Sequence, residues 1–135
     1  MRLLADQMAV VDTGAGEETV SVALVTAGVD AIFTHQIRFL ADPADIALGI
    51  DPDGHSASVL AGLEAAAGLG LLTIALVGGD GGRIAATRAV DHVLLAAAAD
   101  PRVVKELHVT TYHVLWELVH VFFEQPGVLA PGVVT

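Results

Sequence analysis

The fold is decided by residues 45–56, which read Asp-Ile-Ala-Leu-Gly-Ile-Asp-Pro-Asp-Gly-His-Ser. The apolar run 46–50 is short and unbroken, which is typical of a parallel strand buried on both faces. The Pro-Asp-Gly sequence that follows favours a turn. Ser56 is a preferred N-cap for the helix predicted over residues 57–67. This stretch therefore predicts a buried strand, a tight loop and a helix in direct succession.

Strands and helices alternate on both sides of this unit. Asp30 is expected to cap a helix with an apolar stripe, and further strands are predicted at 20–25, 71–77 and 91–95. Asp100 followed by Pro101 is a strong start for a long helix that runs to about residue 124. Such alternation predicts a three-layer αβα domain, flavodoxin-like, around a mostly parallel sheet of about four strands.

The chain is expected to divide into three parts. An irregular N-terminal segment covers 1–19, in which residues 2–11 suit either a short helix or an extended segment. The α/β domain covers 20–125. A mobile tail covers 126–135, because Pro126 and Gly127 stop the long helix.

Composition sets limits on location and partners. Hydrophobic residues make up 54% of the 135 residues, more than a small monomer usually needs. No apolar run reaches the ~18 residues of a membrane span, and the N-terminus lacks a signal-peptide pattern. We therefore expect a cytoplasmic protein that buries apolar surface between subunits. The net charge of −10 argues against nucleic acid, and the absence of Cys excludes disulfides.

The glycine-rich loop 78–82, Gly-Gly-Asp-Gly-Gly, follows a predicted strand and admits two interpretations. Dinucleotide-binding proteins use such loops, but they need a long following helix and an acidic residue after a second strand. Here only residues 83–87 are expected to form a helical turn. A tight turn is therefore favoured over nucleotide binding, and no cofactor is predicted.

Three stretches of the chain resemble the sugar isomerase (SIS) domain of the phosphoheptose isomerases. They are residues 45–66, 71–82 and 100–118, in the order and spacing of that family. Family members also have a first, central strand that ends in a Gly-Asn-Gly-Gly-Ser loop, and a helix with an acidic catalytic residue. Neither is visible in residues 1–19. The resulting gap in the sheet is expected to be closed by rearrangement, by the N-terminal segment or by another chain.

The family's phosphate loop corresponds to residues 49–56, and the resemblance makes Asp51, Asp53, His55 and Ser56 the candidate substrate-binding residues. The two Asp stand where the family has hydroxyl residues. Carboxylates about 5 Å from a phosphate cost roughly 3 kcal/mol each at an effective dielectric of about 20, which a protonated His55 offsets in part. The favoured interpretation makes both Asp turn and capping residues. A third, a weak cation site of Asp51, Asp53 and His55, has little support.

The long helix carries His113, Glu117 and His120 on one face. In the isomerases, the His that matches His113 shuttles protons, so the resemblance makes His113 the candidate catalytic residue. Some members bind zinc through this His and a Gln, whose position here is Lys105. A protonated Lys is not a ligand, so no metal site is predicted. The favoured interpretation is an inter-subunit cluster of hydrogen bonds.

Two functional hypotheses follow. The first, slightly favoured, is a degenerate SIS domain without isomerase turnover, which senses a phosphorylated sugar or binds another protein. The alternative is a phosphoheptose isomerase-type enzyme that interconverts aldose and ketose phosphates, with His113 as base and an acid from another subunit. In both, the resemblance implies dimers or tetramers that assemble through helix 101–124, which is apolar nearly all the way round.

Overall fold

The computed structural model describes residues 2–5, 8–10 and 29–129. In these residues five strands form one sheet: β1 (Arg2–Ala5), β2 (Met8–Val10), β3 (Ile46–Asp51), β4 (Leu72–Gly78) and β5 (His92–Ala96). The α-helices are α1 (Ile32–Leu40), α2 (Ala57–Gly68), α3 (Gly82–Ala86) and α4 (Pro101–Glu124). Single 3-10 turns lie at Val29–Ala31 and Pro126–Leu129.

The strands are ordered β2-β1-β3-β4-β5 across the sheet. Strands β1, β3, β4 and β5 run parallel, with Leu3 beside Leu48 and Leu76 beside Leu94. Strand β2 pairs antiparallel with β1. The mostly parallel sheet is thus confirmed, with five strands in the described residues where about four were expected. The strand predicted at 20–25 lies outside the described residues.

Strand β1 covers the edge of β3 that would stay open without a preceding strand. Residues 2–5 pair in register with residues 47–50. Of the two forms expected for residues 2–11, the described residues 2–5 and 8–10 adopt the extended one. The physical reason is that an open sheet edge presents unpaired N–H and C=O groups, and an extended segment satisfies them. Of the three predicted ways to close the gap, this one uses the N-terminal segment.

Helices cover both faces of the sheet. The main core lies on one face, against α1, α2 and α3, and its buried residues are Phe33, Ile37, Ala47, Val59, Leu63, Ala66, Leu71, Ala75, Val77 and Ile84. Because side chains alternate along a strand, Leu48 and Leu76 point to the other face, where α4 contacts β4 and β5. This arrangement confirms the three-layer αβα prediction.

Two of the three predicted N-cap residues cap their helices in the structure. Ser56 and Asp100 cap α2 and α4, each accepting a hydrogen bond from a backbone N–H of the first turn. Asp30 does not cap α1. It lies in the 3-10 turn, and α1 begins at Ile32 after an N-cap Ala31 that makes no side-chain hydrogen bond. Residues 29–31 form a tighter 3-10 turn before the α-helix, so the α-helix begins later than Asp30 predicted.

Helix α4 extends well beyond the sheet. Of its 24 residues, only Val104 and His108 are buried. Six large apolar side chains after residue 108 are 41% to 80% exposed: Val109, Val114, Trp116, Leu118, Val121 and Phe123. The apolar sequence suggests that α4 is buried on most sides, but the described residues of this chain do not bury it.

A short turn follows helix α4. Pro126–Leu129, the first residues of the tail expected over 126–135, form a 3-10 turn. A backbone bond from the N–H of Val128 to the carbonyl oxygen of Gln125 closes this turn at 3.1 Å. Residues 130–135 lie outside the described part. Among the described residues, no helix is both long and apolar enough to cross a bilayer.

Candidate functional site

The loop after β3 brings four of the five sequence-predicted site residues together. Asp51 is only 2% exposed, and its Oδ2 accepts a hydrogen bond of 2.7 Å from the backbone N–H of Ser56. Its Oδ1 lies 3.5 Å from the backbone nitrogen of Asp53. Asp53 in turn accepts a bond of 3.0 Å from the N–H of His55. The carboxylates of the loop therefore already bind backbone donors in front of helix α2, as turn and capping residues do.

Ser56 is engaged with its own helix. Its hydroxyl oxygen accepts a bond of 3.4 Å from the N–H of Val59 and lies 3.0 Å from the hydroxyl of Ser58. In this arrangement one hydroxyl group satisfies a donor of the first helical turn. An incoming anion would have to compete with these internal bonds.

The glycine loop 78–82 packs directly against the loop after β3. Gly54 has φ of +75°, and a Cβ at this position would overlap the carbonyl oxygen of Gly81. The N–H of Ile84 donates to the carbonyl of Gly54 at 3.0 Å, and Arg83 Nη2 donates to the carbonyl of His55 at 2.8 Å. The glycines thus allow two backbones to touch, which makes this loop a tight turn that holds its neighbour.

Helix α4 reaches the same edge of the sheet through Gly78. A Cβ on Gly78 would overlap both the carbonyl oxygen of Pro52 and the side chain of Val104. The ends of β3 and β4 and the first turns of α4 therefore meet at one point. Ligands of open parallel sheets bind outside such carboxyl ends of strands.

His113 lies further along α4 and is exposed. Its ring is 5.1 Å from that of Tyr112, and His120 stacks edge-on against Trp116 at 4.8 Å. Within the described part of the chain, His113, Glu117 and His120 make no hydrogen bond or ion pair. A group of three side chains suited to hold a metal ion does not occur among the described residues.

Some of the contacts that shape this region were missed from the sequence. Arg83 tethers His55, which is 28 residues away, and no local pattern signals that contact. His108 is 5% exposed, and the helical spacing of four from Val104 is the signal that would have placed it on the buried face. His108 Nε2 is buried without a hydrogen-bond partner among the described residues.

Two carboxyl groups outside the loop have lowered pKa values. Bonds from the backbone N–H and the hydroxyl of Thr73 lower the pKa of the Asp91 carboxyl below 3.8, and these bonds tie β4 to the start of β5. The guanidinium of Arg102 lowers the pKa of the Asp100 carboxyl in the same direction. Both groups order the ends of structural elements.

Comparison with known proteins finds phosphoheptose isomerases among the relatives of this chain. The chain is 34% identical over 134 residues to the phosphoheptose isomerase of Desulfovibrio desulfuricans, which covers 96% of this chain and 62% of the relative. It is 37% identical over 92 residues to that of Aquifex aeolicus, covering 68% and 47% respectively. This chain thus spans only about half to three-fifths of these relatives. No protein-family model matches it.

Solved structures give the same result. Phosphoheptose isomerase GmhA from Neisseria gonorrhoeae superposes with a TM-score of 0.70 at 30% identity, over 76% of this chain and 57% of that one. A phosphoheptose isomerase from Francisella tularensis has the same TM-score at 27% identity, over 77% and 56%. Both the sequence and the fold agree with the resemblance of residues 45–118, and the chain is therefore a phosphoheptose isomerase-like SIS-domain chain.

Proposed function

We propose that this chain acts as an aldose–ketose isomerase of phosphorylated sugars, of the phosphoheptose isomerase type. The observation that supports this most is the 34% identity to the Desulfovibrio desulfuricans relative across 96% of the chain. That alignment includes helix α4, on which we assign His113 as the proton-transferring base. This reverses the preference for a non-catalytic domain that the loop sequence alone had favoured.

The proposed chemistry needs a base that moves a proton between neighbouring carbons of the sugar. Histidine is the side chain that most often performs such transfers. His113 is exposed on α4 and makes no hydrogen bond within the described residues, so its ring nitrogens are available to a substrate. Since no described carboxylate is bonded to it, we assign the acid partner to another subunit.

We propose that the substrate lies against Asp51, Asp53, His55 and Ser56. Asp53 is exposed, and its carboxylate suits sugar hydroxyl donors better than a phosphate dianion. The phosphate would then lie on the side of His55 and Ser56, where the start of α2 contributes positive potential. Asp51 is buried beneath this surface, where it holds the backbone of Ser56 and acts on the ligand through its charge.

A second candidate function rests on one specific contact. The 2.7 Å bond from the Ser56 N–H to Asp51 occupies a donor that an anion would otherwise use. The weaker phosphate binding that follows suits a protein-interaction module, or a sugar-phosphate sensor without turnover, better than an enzyme.

One experiment separates the two functions. Purified protein is incubated with sedoheptulose 7-phosphate, and the aldose product and the thermal shift are measured together. Turnover that falls to background in His113→Gln but persists in His120→Gln, an exposed histidine of the same helix, supports the isomerase. A thermal shift without product supports the sensor. The absence of both excludes the phosphosugar functions and leaves the interaction module.

We also propose a homo-oligomer, a dimer or tetramer, assembled through α4 in the cytoplasm. The support is the set of six exposed apolar side chains on α4, since large exposed apolar side chains in such number mark interaction sites.

A further inference from the structure

Two charged side chains hold the peptide group between His55 and Ser56. Its N–H donates to Asp51 Oδ2 at 2.7 Å, and its carbonyl oxygen accepts a bond of 2.8 Å from Arg83 Nη2. Arg83 lies 28 residues further along the chain than His55 and reaches this peptide from helix α3. A carboxylate and a guanidinium therefore bind the two ends of one peptide group, at the place where we put the phosphate of the sugar.

The backbone donors of this loop are largely used by the chain itself. The N–H of His55 donates to the Asp53 carboxylate at 3.0 Å. The N–H of Ser56 donates to Asp51, and that of Val59 donates to the Ser56 hydroxyl. Helix starts usually bind anions through such N–H groups when these are unpaired. A phosphate that approaches the start of α2 therefore needs donors from elsewhere.

Arg83 has the donors that the loop lacks. Its side chain is exposed, and within the described residues its only hydrogen bond is the one to the His55 carbonyl, with no ion pair. A guanidinium presents a planar fork of N–H donors that matches phosphate oxygens, so one bond to the loop leaves most of the fork open. Its positive charge also offsets part of the repulsion that Asp51 and Asp53 exert on an anion.

Helix α3 is docked on the loop on both sides of Arg83. The N–H of Ile84 donates to the Gly54 carbonyl at 3.0 Å, and a Cβ on Gly82 would overlap the same carbonyl oxygen. The side chain of Ile84 is fully buried. The backbone that carries Arg83 is thus fixed against the loop, while its exposed side chain can turn toward a ligand.

We propose that Arg83 is a specificity-determining residue that binds the phosphate group of the sugar and selects phosphorylated over neutral substrates. This inference rests on the proposed function, which places a phosphorylated sugar at residues 51–56. The phosphate of sedoheptulose 7-phosphate is at the opposite end of the sugar from the reacting carbons. Loss of Arg83 should therefore weaken substrate binding much more than the chemical step.

Calorimetric titrations with sedoheptulose 7-phosphate and kinetic assays test this role. Arg83→Gln loses the charge but keeps an amide donor for the His55 carbonyl, and we expect its Kd and KM to rise about tenfold or more with kcat nearly unchanged. Arg83→Lys keeps the charge and should recover most of the affinity. The matched control is Arg88→Gln, which should bind like the parent, because Arg88 is exposed beside Leu72 and His92 at the starts of β4 and β5.

Several results would overturn the proposal. They are a parent that does not bind the sugar phosphate, unchanged affinity in Arg83→Gln, and an equal loss in Arg88→Gln, which would reflect net charge. An equal loss in Arg83→Gln and Arg83→Lys, with a lower urea midpoint in both, would make Arg83 a structural tether only.

A measurement on the unmodified protein decides the matter if the variants do not fold. In isotope-labelled protein titrated with inorganic phosphate, the Nε–Hε signal of Arg83 should shift saturably and that of Arg88 should not; equal behaviour of the two signals contradicts the proposal. The two proposals fail separately. Turnover with an unchanged KM in Arg83→Gln refutes the role of Arg83 and leaves the isomerase, whereas phosphate binding that depends on Arg83 without turnover refutes the isomerase alone.

Discussion

The carboxylate of Asp51 accepts a 2.7 Å hydrogen bond from the backbone N–H of Ser56, the residue that caps helix α2. Asp51 is 2% exposed, so an internal negative charge lies at a helix start. Helix starts attract anions because their N–H groups are unpaired and the macrodipole is positive there. The Asp51 carboxylate therefore supplies at the start of α2 the negative charge that a bound anion would otherwise bring. This contact stabilises the loop and at the same time weakens its affinity for anionic ligands.

Removal of the Asp51 carboxylate should destabilise the fold. In Asp51→Ala the N–H of Ser56 loses its partner in a partly buried place, which typically costs about 1–3 kcal/mol. We expect a lower urea midpoint of unfolding. Asp53→Ala is the matched control, because among the described residues this exposed carboxylate accepts only the N–H of His55, and the substitution should cause a smaller decrease. An equal effect of the two substitutions would contradict the role given to Asp51.

Exchange of both carboxylates for hydroxyl groups should tighten the binding of sugar phosphates, because the two repulsions together exceed the roughly 1.5–3 kcal/mol of one hydrogen bond from a sugar hydroxyl to Asp53. Each charge costs roughly 3 kcal/mol at about 5 Å from a phosphate under an effective dielectric of about 20. We expect the Asp51→Ser, Asp53→Ser double variant to bind sedoheptulose 7-phosphate at least about tenfold more tightly in calorimetric titrations.

The control for this gain is Glu64→Gln, which removes an exposed charge on helix α2. If Glu64→Gln tightens binding to the same degree, the gain reflects net charge and not the loop. Unchanged affinity in the double variant would mean that the sugar phosphate does not meet residues 51–56.

The Thr73–Asp91 contact should make stability depend on pH. Bonds from Thr73 lower the pKa of Asp91 in the folded state below the 3.8 of the free side chain. The folded state then binds fewer protons than the unfolded one, so this contribution is present above about pH 3.8 and is lost as the pH falls through the folded pKa. Asp91→Asn should flatten the acid limb of a plot of the urea midpoint against pH. Parallel acid limbs in the two proteins would show that Asp91 does not contribute.

Capping residues and hydrophobic patterns in the sequence predicted most of the helices and the central strands. Ser56 and Asp100 act as caps because capping depends on residues within one turn, which the sequence displays directly. The pairing of β1 with β3 joins segments more than 40 residues apart, and parallel pairing leaves no local pattern that specifies a partner strand.

The candidate site was predictable to a lesser degree. The capping role of Asp51 follows from turn chemistry, but the tether from Arg83 to His55 depends on how two loops dock through Gly54. The exposure of α4 also differs from expectation. An apolar helix sequence predicts that the helix surface is buried, but it does not show whether the same chain or another chain buries it.

The uncovered part of α4 should hold the protein together as an oligomer. Trp116 is 41% exposed and Phe123 is 80% exposed, and both lie on the part of the helix that projects past the sheet. A glutamate at either position would place a charge in an apolar interface, and an unpaired buried charge is strongly unfavourable. We therefore expect the Trp116→Glu, Phe123→Glu double variant to have the mass of a monomer in light scattering, while the parent has that of a dimer or tetramer. Phe39→Glu is the control, since Phe39 is 76% exposed on α1, outside the proposed interface, and should leave the mass unchanged. A monomeric parent, or a double variant that keeps the parent's mass, would refute assembly through α4 and leave its apolar face to a different partner.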